Sequence, residues 1–266
     1  MTEPRNVLPP NRAWAAPMRP GQRLAILSAL VDEQRGLIDH LQGSERVEHA
    51  GRQFWLGQLH GVPVVLTVSR IGKVSASMTA AILVERFDAG AIVFTGVAGA
   101  LGHEVQVGDV VVAQDFLQHD LDVSPLFARY EVPAYGRARF ACHPQLSQAL
   151  LQAVQQTRAS DFAQARVHQG LIASGDRFVN GHAEVQALRQ RLQQDGHPAL
   201  AVEMEGAAVA QVCADHGLPY AAMRTISDRA DDHAHRDFAL FVREVASRYA
   251  QGIIMRLLAD LALRGR

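Results

Sequence analysis

The stretch ALAVEMEGAAVAQVCADHG, residues 199–217, contains the unit from which the fold is built. Its first six residues predict a short buried strand, and the small and apolar residues after them predict a helix that ends at Gly217. Two carboxylates, Glu203 and Glu205, stand where the strand meets the helix. A carboxylate removed from water is costly unless something compensates it, so this junction raises a question about function.

The same alternation of strand and helix extends to both sides. Residues 23–30 predict the first buried strand and 31–42 an amphipathic helix, and the His60-Gly61 pair predicts the turn of a hairpin. The further helices are predicted over 73–87, 143–157, 182–194 and 236–263, and the further strands over 91–101, 109–116, 166–175 and 220–227. Buried strands that alternate with helices predict an α/β sandwich with helices on both faces. We expect a single domain over 23–266, after a disordered N-terminal extension over 1–22.

Composition excludes several classes of function. The 266 residues carry a net charge of −1, which predicts neither a nucleic-acid partner nor a membrane partner. Cys142 and Cys213 lack metal-ligand spacing and predict no disulfide framework, so we expect a cytoplasmic protein. No apolar run reaches the roughly 18 residues that cross a bilayer. Residues 1–22 also lack the continuous apolar segment of a secretory signal.

Candidate functional residues cluster at the predicted strand ends, where ligands bind in open α/β sheets. The five ends with unusual residues are Asp32-Glu33, 96–99 (GVAG), 175–178 (GDRF), 203–205 (EME) and 224–228 (RTISD). The glycine turn lacks the G-x-G-x-x-G spacing, which disfavours a dinucleotide site. Ser227 and Asp228 suit a helix cap. A buried aspartate beside a serine can equally hold a proton for donation.

Two His- and Asp-rich segments invite a metal interpretation. They are HDLD at 119–122 and DDHAHRD at 231–237. Neither contains two histidines at the spacing that brings ligands to one face of a helix, so we interpret both as solvated loops and expect no metal site.

Five segments together resemble a known family. They are SRIGKVSASMTAAILVERF (69–87), FTGVAGALGHEVQVGDVVVAQDFLQHDLDV (94–123), GLIASGDRFVNG (170–181), AVEMEGAAVAQVC (201–213) and MRTISDRADD (223–232). In order and with compatible spacing, they are similar to the 5′-methylthioadenosine/S-adenosylhomocysteine nucleosidases of the purine-nucleoside phosphorylase/hydrolase superfamily. The resemblance covers about residues 23–260. It implies a three-layer α/β/α sandwich with a central mixed, twisted sheet.

The resemblance also implies a reaction and residue roles. The implied reaction is hydrolysis of the N-glycosidic bond of 5′-methylthioadenosine, S-adenosylhomocysteine or 5′-deoxyadenosine, without a cofactor. Asp228 would protonate adenine N7, positioned by Ser227 and Arg224, and Glu33 would activate water. The implied substrate-binding residues are Glu205, Met204 and Glu203 at the ribose and water, Phe178 and Val179 at the base, and Val97, Ala98 and Gly99 in the glycine turn. Glycoside cleavage develops positive charge on the sugar ring, and carboxylates beside the ring offset that charge.

The chain departs from the family pattern in two places. Val97 stands in the glycine turn where better-known bacterial members have a serine. The loop SPLFARYEVPAY, 124–135, also differs from the expected form. In the family this loop helps to build the pocket for the 5′-substituent and reaches a neighbouring subunit, so Leu126, Phe127 and Tyr130 are candidates for the lining and a homodimer is expected.

Three alternatives remain open at this stage. The first is a phosphorolytic enzyme, although Val93-Phe94-Thr95 offers no arginine before the glycine turn and Asp32 and Glu33 would repel phosphate. The second is a hydrolase of another nucleoside, of inosine or futalosine type. The third is a nucleoside-binding module without catalysis, which does not explain why both a candidate acid and a candidate base are present.

Overall fold

The computed structural model describes residues 21–228 and 241–264. Its strands are β1 (Arg23–Ser28), β2 (Gln42–His49), β3 (Arg52–Leu59), β4 (Val62–Val68), β5 (Ala89–Phe94), β6 (Val97–Ala100), β7 (Val110–Gln118), β8 (Arg139–Ala141), β9 (Val167–Ser174), β10 (Ala199–Glu203) and β11 (Tyr220–Asp228). Its α-helices are α1 (Arg35–Ile38), α2 (Lys73–Phe87), α3 (Pro144–Asp161), α4 (His182–Gln194), α5 (Gly206–Asp215) and α6 (Ser247–Arg264). A 3-10 turn, Val31–Glu33, follows β1, and a π-helical turn, Val242–Ala246, precedes α6.

The strands form one mixed sheet in the order β2-β3-β4-β1-β5-β11-β6-β10-β9-β7-β8. β1 pairs in parallel with β4 and β5, and the first half of β11 continues this parallel arrangement beside β5. The hairpins β2–β3 and β3–β4 add antiparallel pairs at one edge. The expected mixed sheet is therefore confirmed.

Five strands of the second half of the sheet close into a ring. β11 pairs with β6 on one side and with β7 on the other, while β6–β10, β10–β9 and β9–β7 complete the circuit. Closure removes the free edges that an open sheet would leave at these strands. The sequence pattern did not predict this ring, because periodicity shows which residues are buried and not which strands pair.

Helices cover both faces of the sheet. Phe87 of α2 and Val209 of α5 lie in one core cluster, with Phe54 and Phe116 from the strands. Leu150 of α3 and Leu257 of α6 lie in a second cluster on other strand residues. α4 covers a third, smaller cluster over β9 and β10. The expected sandwich, with helices on both faces of the sheet, is confirmed.

Several predicted elements differ in detail. The helix expected over 31–42 is only the 3-10 turn and the four residues of α1. β2 was not predicted, because most of its side chains are exposed and it carries no apolar signal. Residues 97–100, expected as a turn, form the short strand β6. Of the last predicted helix, 236–240 lie outside the described residues.

No helix within 21–228 and 241–264 is long and apolar enough to cross a membrane. The extension expected over 1–22 lies outside the described ranges except for Gly21 and Gln22. The single domain over 23–266 stays a prediction.

Candidate active site

A cavity of about 160 Å³ opens at the ends of β1, β10 and β11 and along β6. Its walls contain all of the residues predicted for catalysis and for binding of base and ribose: Glu33, Val97, Ala98, Gly99, Phe178, Val179, Glu203, Met204, Glu205, Arg224, Ser227 and Asp228. Ala29, Leu30, Ile71, Gly96, Arg177 and Val202 complete the lining. The structure thus brings residues of all five predicted strand ends to one pocket. The 175–178 end contributes Arg177 and Phe178, followed by Val179.

A bulge at the end of β11 turns two consecutive side chains toward this pocket. Ile226 pairs with Ala98 and Asp228 with Gly99, so Ser227 is an extra residue on β11. Such a bulge breaks the alternation of faces that a regular strand would impose. The Ser227 hydroxyl donates a hydrogen bond to Asp228 Oδ2 at 2.6 Å. Ser227 therefore holds one oxygen of the candidate acid, as predicted.

Glu203 is surrounded by donors. Its carboxylate accepts hydrogen bonds from Arg224 NH2 at 2.8 Å, from the Gly206 amide at 2.9 Å and from the Ser174 hydroxyl. The Ala207 amide in turn donates to Ser174 Oγ at 2.8 Å. Because these donors include the first amides of α5, Glu203 also lies at the positive end of that helix. Burial of Glu203 is thus compensated by the protein itself.

Arg224 is 1% exposed and holds Glu203 through the hydrogen bond from its NH2 group. Besides that bond, its guanidinium group donates to the carbonyls of Phe94 and Met223 and lies 4.1 Å from the centroid of the Phe94 ring. Among the described residues, Asp228 is not an acceptor of Arg224. The prediction that Arg224 positions Asp228 is therefore corrected, because the geometry directs its charge to Glu203.

Glu205 reaches from the start of α5 to the start of α2. Its Oε1 accepts a hydrogen bond from the Gly72 amide at 2.8 Å. Burial, and next the negative charge of Glu203, raise the pKa of Glu205 to about 8. Both causes favour the protonated form, so Glu205 keeps its proton to a higher pH than a surface glutamate does.

Glu33 is the most deeply buried of these acids, at 2% exposure. Its Oε2 accepts hydrogen bonds from the amides of Ala29 and Leu30, both at 2.9 Å. Its Oε1 is buried, with no hydrogen-bond partner among the described residues. Burial raises the pKa of Glu33 to about 7, although these amides and Arg224 lower it. The 3-10 turn at Val31–Glu33 thus folds the side chain of the candidate base into the interior.

Glycine at position 96 permits the close approach of these groups. A Cβ there would lie 3.3 Å from Glu33 Oε1 and 3.5 Å from Arg224 Nε. A side chain there would therefore crowd the candidate base, whereas its distance from the arginine is that of an ordinary van der Waals contact. The glycine predicted as part of a turn thus serves contact between strands.

The base-binding candidates lie at the mouth of the pocket. Phe178 is 42% exposed, whereas Val179 is buried. Arg177, which is also part of the lining, forms an ion pair with Glu184 at 3.2 Å. A half-exposed aromatic ring beside a buried aliphatic side chain is suited to stack against a planar ligand.

The candidates for the 5′-substituent pocket do not line the cavity of their own chain. Tyr130 is 1% exposed and packs in the third core cluster, with its ring edge-on to His197. It is a core residue, which corrects the prediction for this position. Leu126 and Phe127 are exposed instead.

Sequence reasoning missed several residues that support the site. Nothing in the sequence distinguishes Ser174 from other strand residues. The backbone amides of Ala29, Leu30 and Gly72 could not be recognised either, because a backbone amide does not depend on the residue type. The HDLD segment was predicted to be solvated, yet Asp120 accepts hydrogen bonds from Lys73 and from the Asp176 amide.

Within 21–228 and 241–264, no group of three or more His, Cys, Asp or Glu side chains is arranged to hold a metal ion. The segment 231–237, predicted as a solvated loop, lies outside the described residues.

Comparisons with known proteins show which family the sequence and the fold resemble. Residues 23–259 match the model of the phosphorylase superfamily. A 5′-methylthioadenosine/S-adenosylhomocysteine nucleosidase of Chromohalobacter salexigens is 34% identical over 229 residues, which are 86% of this chain and 94% of the relative.

Two solved structures show the same similarity. The nucleosidase of that name from Neisseria meningitidis, in complex with methylthio-immucillin-A, has a TM-score of 0.82 and 33% identity, over 90% of this chain and 99% of that one. The corresponding protein of Colwellia psychrerythraea, in complex with adenine, has a TM-score of 0.81 and 31% identity, over 91% and 96%.

Proposed function

Because the chain belongs to the 5′-methylthioadenosine/S-adenosylhomocysteine nucleosidase family of the phosphorylase superfamily, we propose that it hydrolyses the N-glycosidic bond of these two nucleosides. The products are adenine and a ribose that carries the 5-thio substituent. The observation that carries this proposal is the arrangement of three buried glutamates, Glu33, Glu203 and Glu205, with Asp228 around one cavity.

Bond cleavage begins at the base. Asp228, held through one oxygen by Ser227, donates its proton to adenine N7, which allows the base to leave with the electrons of the glycosidic bond. Phe178 stacks on the departing adenine and Val179 packs at its edge. The ribose is left with positive charge, shared between its anomeric carbon and ring oxygen.

The glutamates act on the sugar side. Glu205 accepts hydrogen bonds from the ribose hydroxyls, while Glu203, fixed by Arg224 and α5, contributes negative charge near the ring. Such fixed groups stabilise a charge that develops during the reaction without reorganising. Glu33 takes a proton from water through Oε1, and the resulting hydroxide bonds to the anomeric carbon.

The same charges favour water over phosphate as the nucleophile. Arg224 is engaged by Glu203, and Arg177 points toward Glu184 at the surface, with its side chain 76% exposed. Both arginines of the pocket lining thus have a carboxylate partner already, and Glu33 adds negative charge when it is ionised, which opposes the binding of an anion.

The test is base release from 5′-methylthioadenosine, measured by chromatography with and without phosphate. We expect adenine and free 5-methylthioribose in phosphate-free buffer. Release only with phosphate, as a sugar 1-phosphate, would move the protein to the phosphorylases. Absence of adenine in both buffers would refute the proposed substrate.

We further propose that the protein is a homodimer that associates through the outer face at the start of α2. Ile71, Val74 and Met78 lie on one side of this segment and are 58%, 79% and 46% exposed. Leu126 and Phe127 of the 124–135 loop are also exposed. Several exposed apolar side chains on one face of a helix, as at the start of α2, are typical of interfaces. In the dimer, the loop would lie against the pocket mouth of the partner subunit.

The dimer is tested by Val74→Glu. A glutamate in the first turn of α2 is compatible with the helix dipole, so the fold should persist while a charge enters the interface. We expect sedimentation analysis to show a monomer, because the dissociation constant of the dimer should rise about 30-fold or more. Leu263→Glu makes a comparable change on α6, on the opposite face of the sheet, and should leave the assembly intact. An unchanged dimer in Val74→Glu would contradict this interface.

A further inference from the structure

Lys73 is the only lysine in the sequence; the other 25 of its 26 basic residues are arginines. It is the first residue of α2, where the helix dipole disfavours a positive charge. Its side chain is nevertheless only 15% exposed. A lone lysine that is largely buried at an unfavourable helix end indicates a requirement for its ammonium group.

Two aspartates and a glutamine surround this ammonium group. Nζ lies 2.5 Å from Asp120 Oδ1, 3.1 Å from Gln118 Oε1 and 3.9 Å from Asp176 Oδ2. The Lys73 amide also donates to Asp176 Oδ1 at 2.7 Å, and the Asp176 amide donates to Asp120 Oδ2 at 2.8 Å. Lys73, Asp120 and Asp176, here called the Lys73 cluster, thus form a closed circuit of contacts.

The cluster connects three segments that reach the candidate active site. Asp176 lies two residues before Phe178, and Asp120 follows the end of β7. Gly72, next to Lys73, donates its amide to Glu205. Gly72 has φ +95°, and a Cβ there would lie 3.2 Å from Asp176 Oδ1, so the approach of the two segments depends on glycine. The positions of the Glu205 carboxylate and of the Phe178 ring therefore depend on the same contacts.

The charges explain why the cluster needs a cation. Although burial raises it, the hydrogen bonds from Lys73 and from the Asp176 amide lower the pKa of Asp120 below its usual range. Without the ammonium group, the Asp120 and Asp176 carboxylates would repel each other across a short distance. An ammonium group is a compact charge whose three donors reach oxygens in different directions, whereas the planar guanidinium fork suits one carboxylate.

We propose that Lys73 is a positioning residue: its ammonium group holds Asp120 and Asp176 together, and so fixes both the Gly72 amide against Glu205 and the 176–179 segment that carries Phe178. Its effect on catalysis rests on the proposed function. Its effect on the two segments does not.

The test compares Lys73→Met, Lys73→Arg and Lys73→Cys with the unmodified protein. We expect Lys73→Met to raise KM for 5′-methylthioadenosine about 10-fold or more, with a smaller change in kcat, because ligand contacts are displaced while Asp228 and Glu33 stay in place. Lys73→Arg keeps the charge and should recover only part of this loss. Arg86→Met removes one positive charge near the other end of α2 and should leave KM unchanged.

Chemical rescue separates positioning from misfolding. Treatment of Lys73→Cys with 2-bromoethylamine forms a thioether with loss of bromide and restores an ammonium group at nearly the length of lysine. Cys142 and Cys213 are buried, and burial raises the pKa of both thiols, so they should not compete for the reagent. We expect KM of the modified variant to return to within about 3-fold of the original, on the same polypeptide that was impaired before treatment.

Hydrogen exchange tests the inference without any activity. We expect amides of 70–76 and 175–181 to exchange faster in Lys73→Met and to slow again in the rescued variant. Unchanged exchange, or an arginine variant with the original KM, would overturn the proposal. Failure of the unmodified protein to release adenine would refute the proposed function instead, and the exchange result would still decide the role of Lys73.

Discussion

Replacement of Asp228 by asparagine should reduce kcat for adenine release by about 10²–10⁴-fold, the contribution that a positioned general acid makes. The carboxamide has nearly the shape of the carboxylic acid, and its oxygen can accept the hydrogen bond from the Ser227 hydroxyl. It has no acidic proton to transfer to adenine N7. The loss should therefore appear in turnover and not in the fold.

Two measurements make this result specific. Adenine binding, followed by calorimetry, should be retained in Asp228→Asn within about 10-fold, because Phe178 and Val179 are untouched. Asp39→Asn changes an exposed aspartate at the end of α1 and should behave like the unmodified protein. Turnover of Asp228→Asn within a few fold of the original would remove Asp228 as the acid.

Replacement of Glu33 by glutamine should have a comparable effect, a loss of about 10²–10⁴-fold in kcat, since no group then accepts the proton of the attacking water. The pKa of Glu33 of about 7 adds a signature. The base must be ionised, so activity of the unmodified protein should fall as the pH drops below about 7. Glu33→Gln should lose this limb of the profile together with the rate. Asp32→Asn alters the neighbouring acid, which does not line the cavity, and should keep both.

The stability of the folded protein should fall with rising pH over the range in which the activity increases. The pKa of Glu33 in the folded protein is raised to about 7, above its unfolded value of 4.5. The contribution of Glu33 to the free energy of unfolding is therefore fully present below pH 4.5 and is lost as the pH rises through 7. Above pH 7 the folded protein keeps a buried charge that glutamine lacks. Chemical denaturation at pH 8 should therefore find Glu33→Gln more stable, on the order of 3 kcal/mol. Equal or lower stability at pH 8 would contradict the burial of an ionised Glu33.

Much of this site follows from the sequence because the acids stand directly after apolar segments. Glu203 and Glu205 end a run with the period of a buried strand, and Asp228 ends another. Parallel strands bring such ends to one edge of a sheet, which is why a shared pocket was predicted. In the structure, β10 runs antiparallel to β6 and the end of β11 runs parallel to it, so Glu203 and Asp228 approach Gly99 from opposite directions, an arrangement that the sequence pattern does not contain. Helix α2 was predicted with its observed bounds, since its apolar residues recur at the helical period.

The remaining features depend on contacts that a linear pattern does not encode. A period of two would place Ser227 and Asp228 on opposite faces, and only pairing with β6 creates the bulge that brings them together. The hydrogen bond from Arg224 to Glu203 joins β11 to β10, which β6 separates in the sheet, so it depends on the length and direction of the arginine side chain. Backbone amides such as that of Gly72 are the same at every position, so their role appears only when the chain is folded.

The ring of five strands has a consequence for how the protein opens. β11 is hydrogen-bonded to β5 along its first half and to β6 and β7 further on, so its residues cannot detach as an edge strand does. Segments with many buried partners exchange their amides only through rare global unfolding. The outer strand β2, paired on one side and mostly exposed, belongs to the least protected part of the same sheet. The strand that carries the candidate acid is thus among the last parts of the protein to fluctuate.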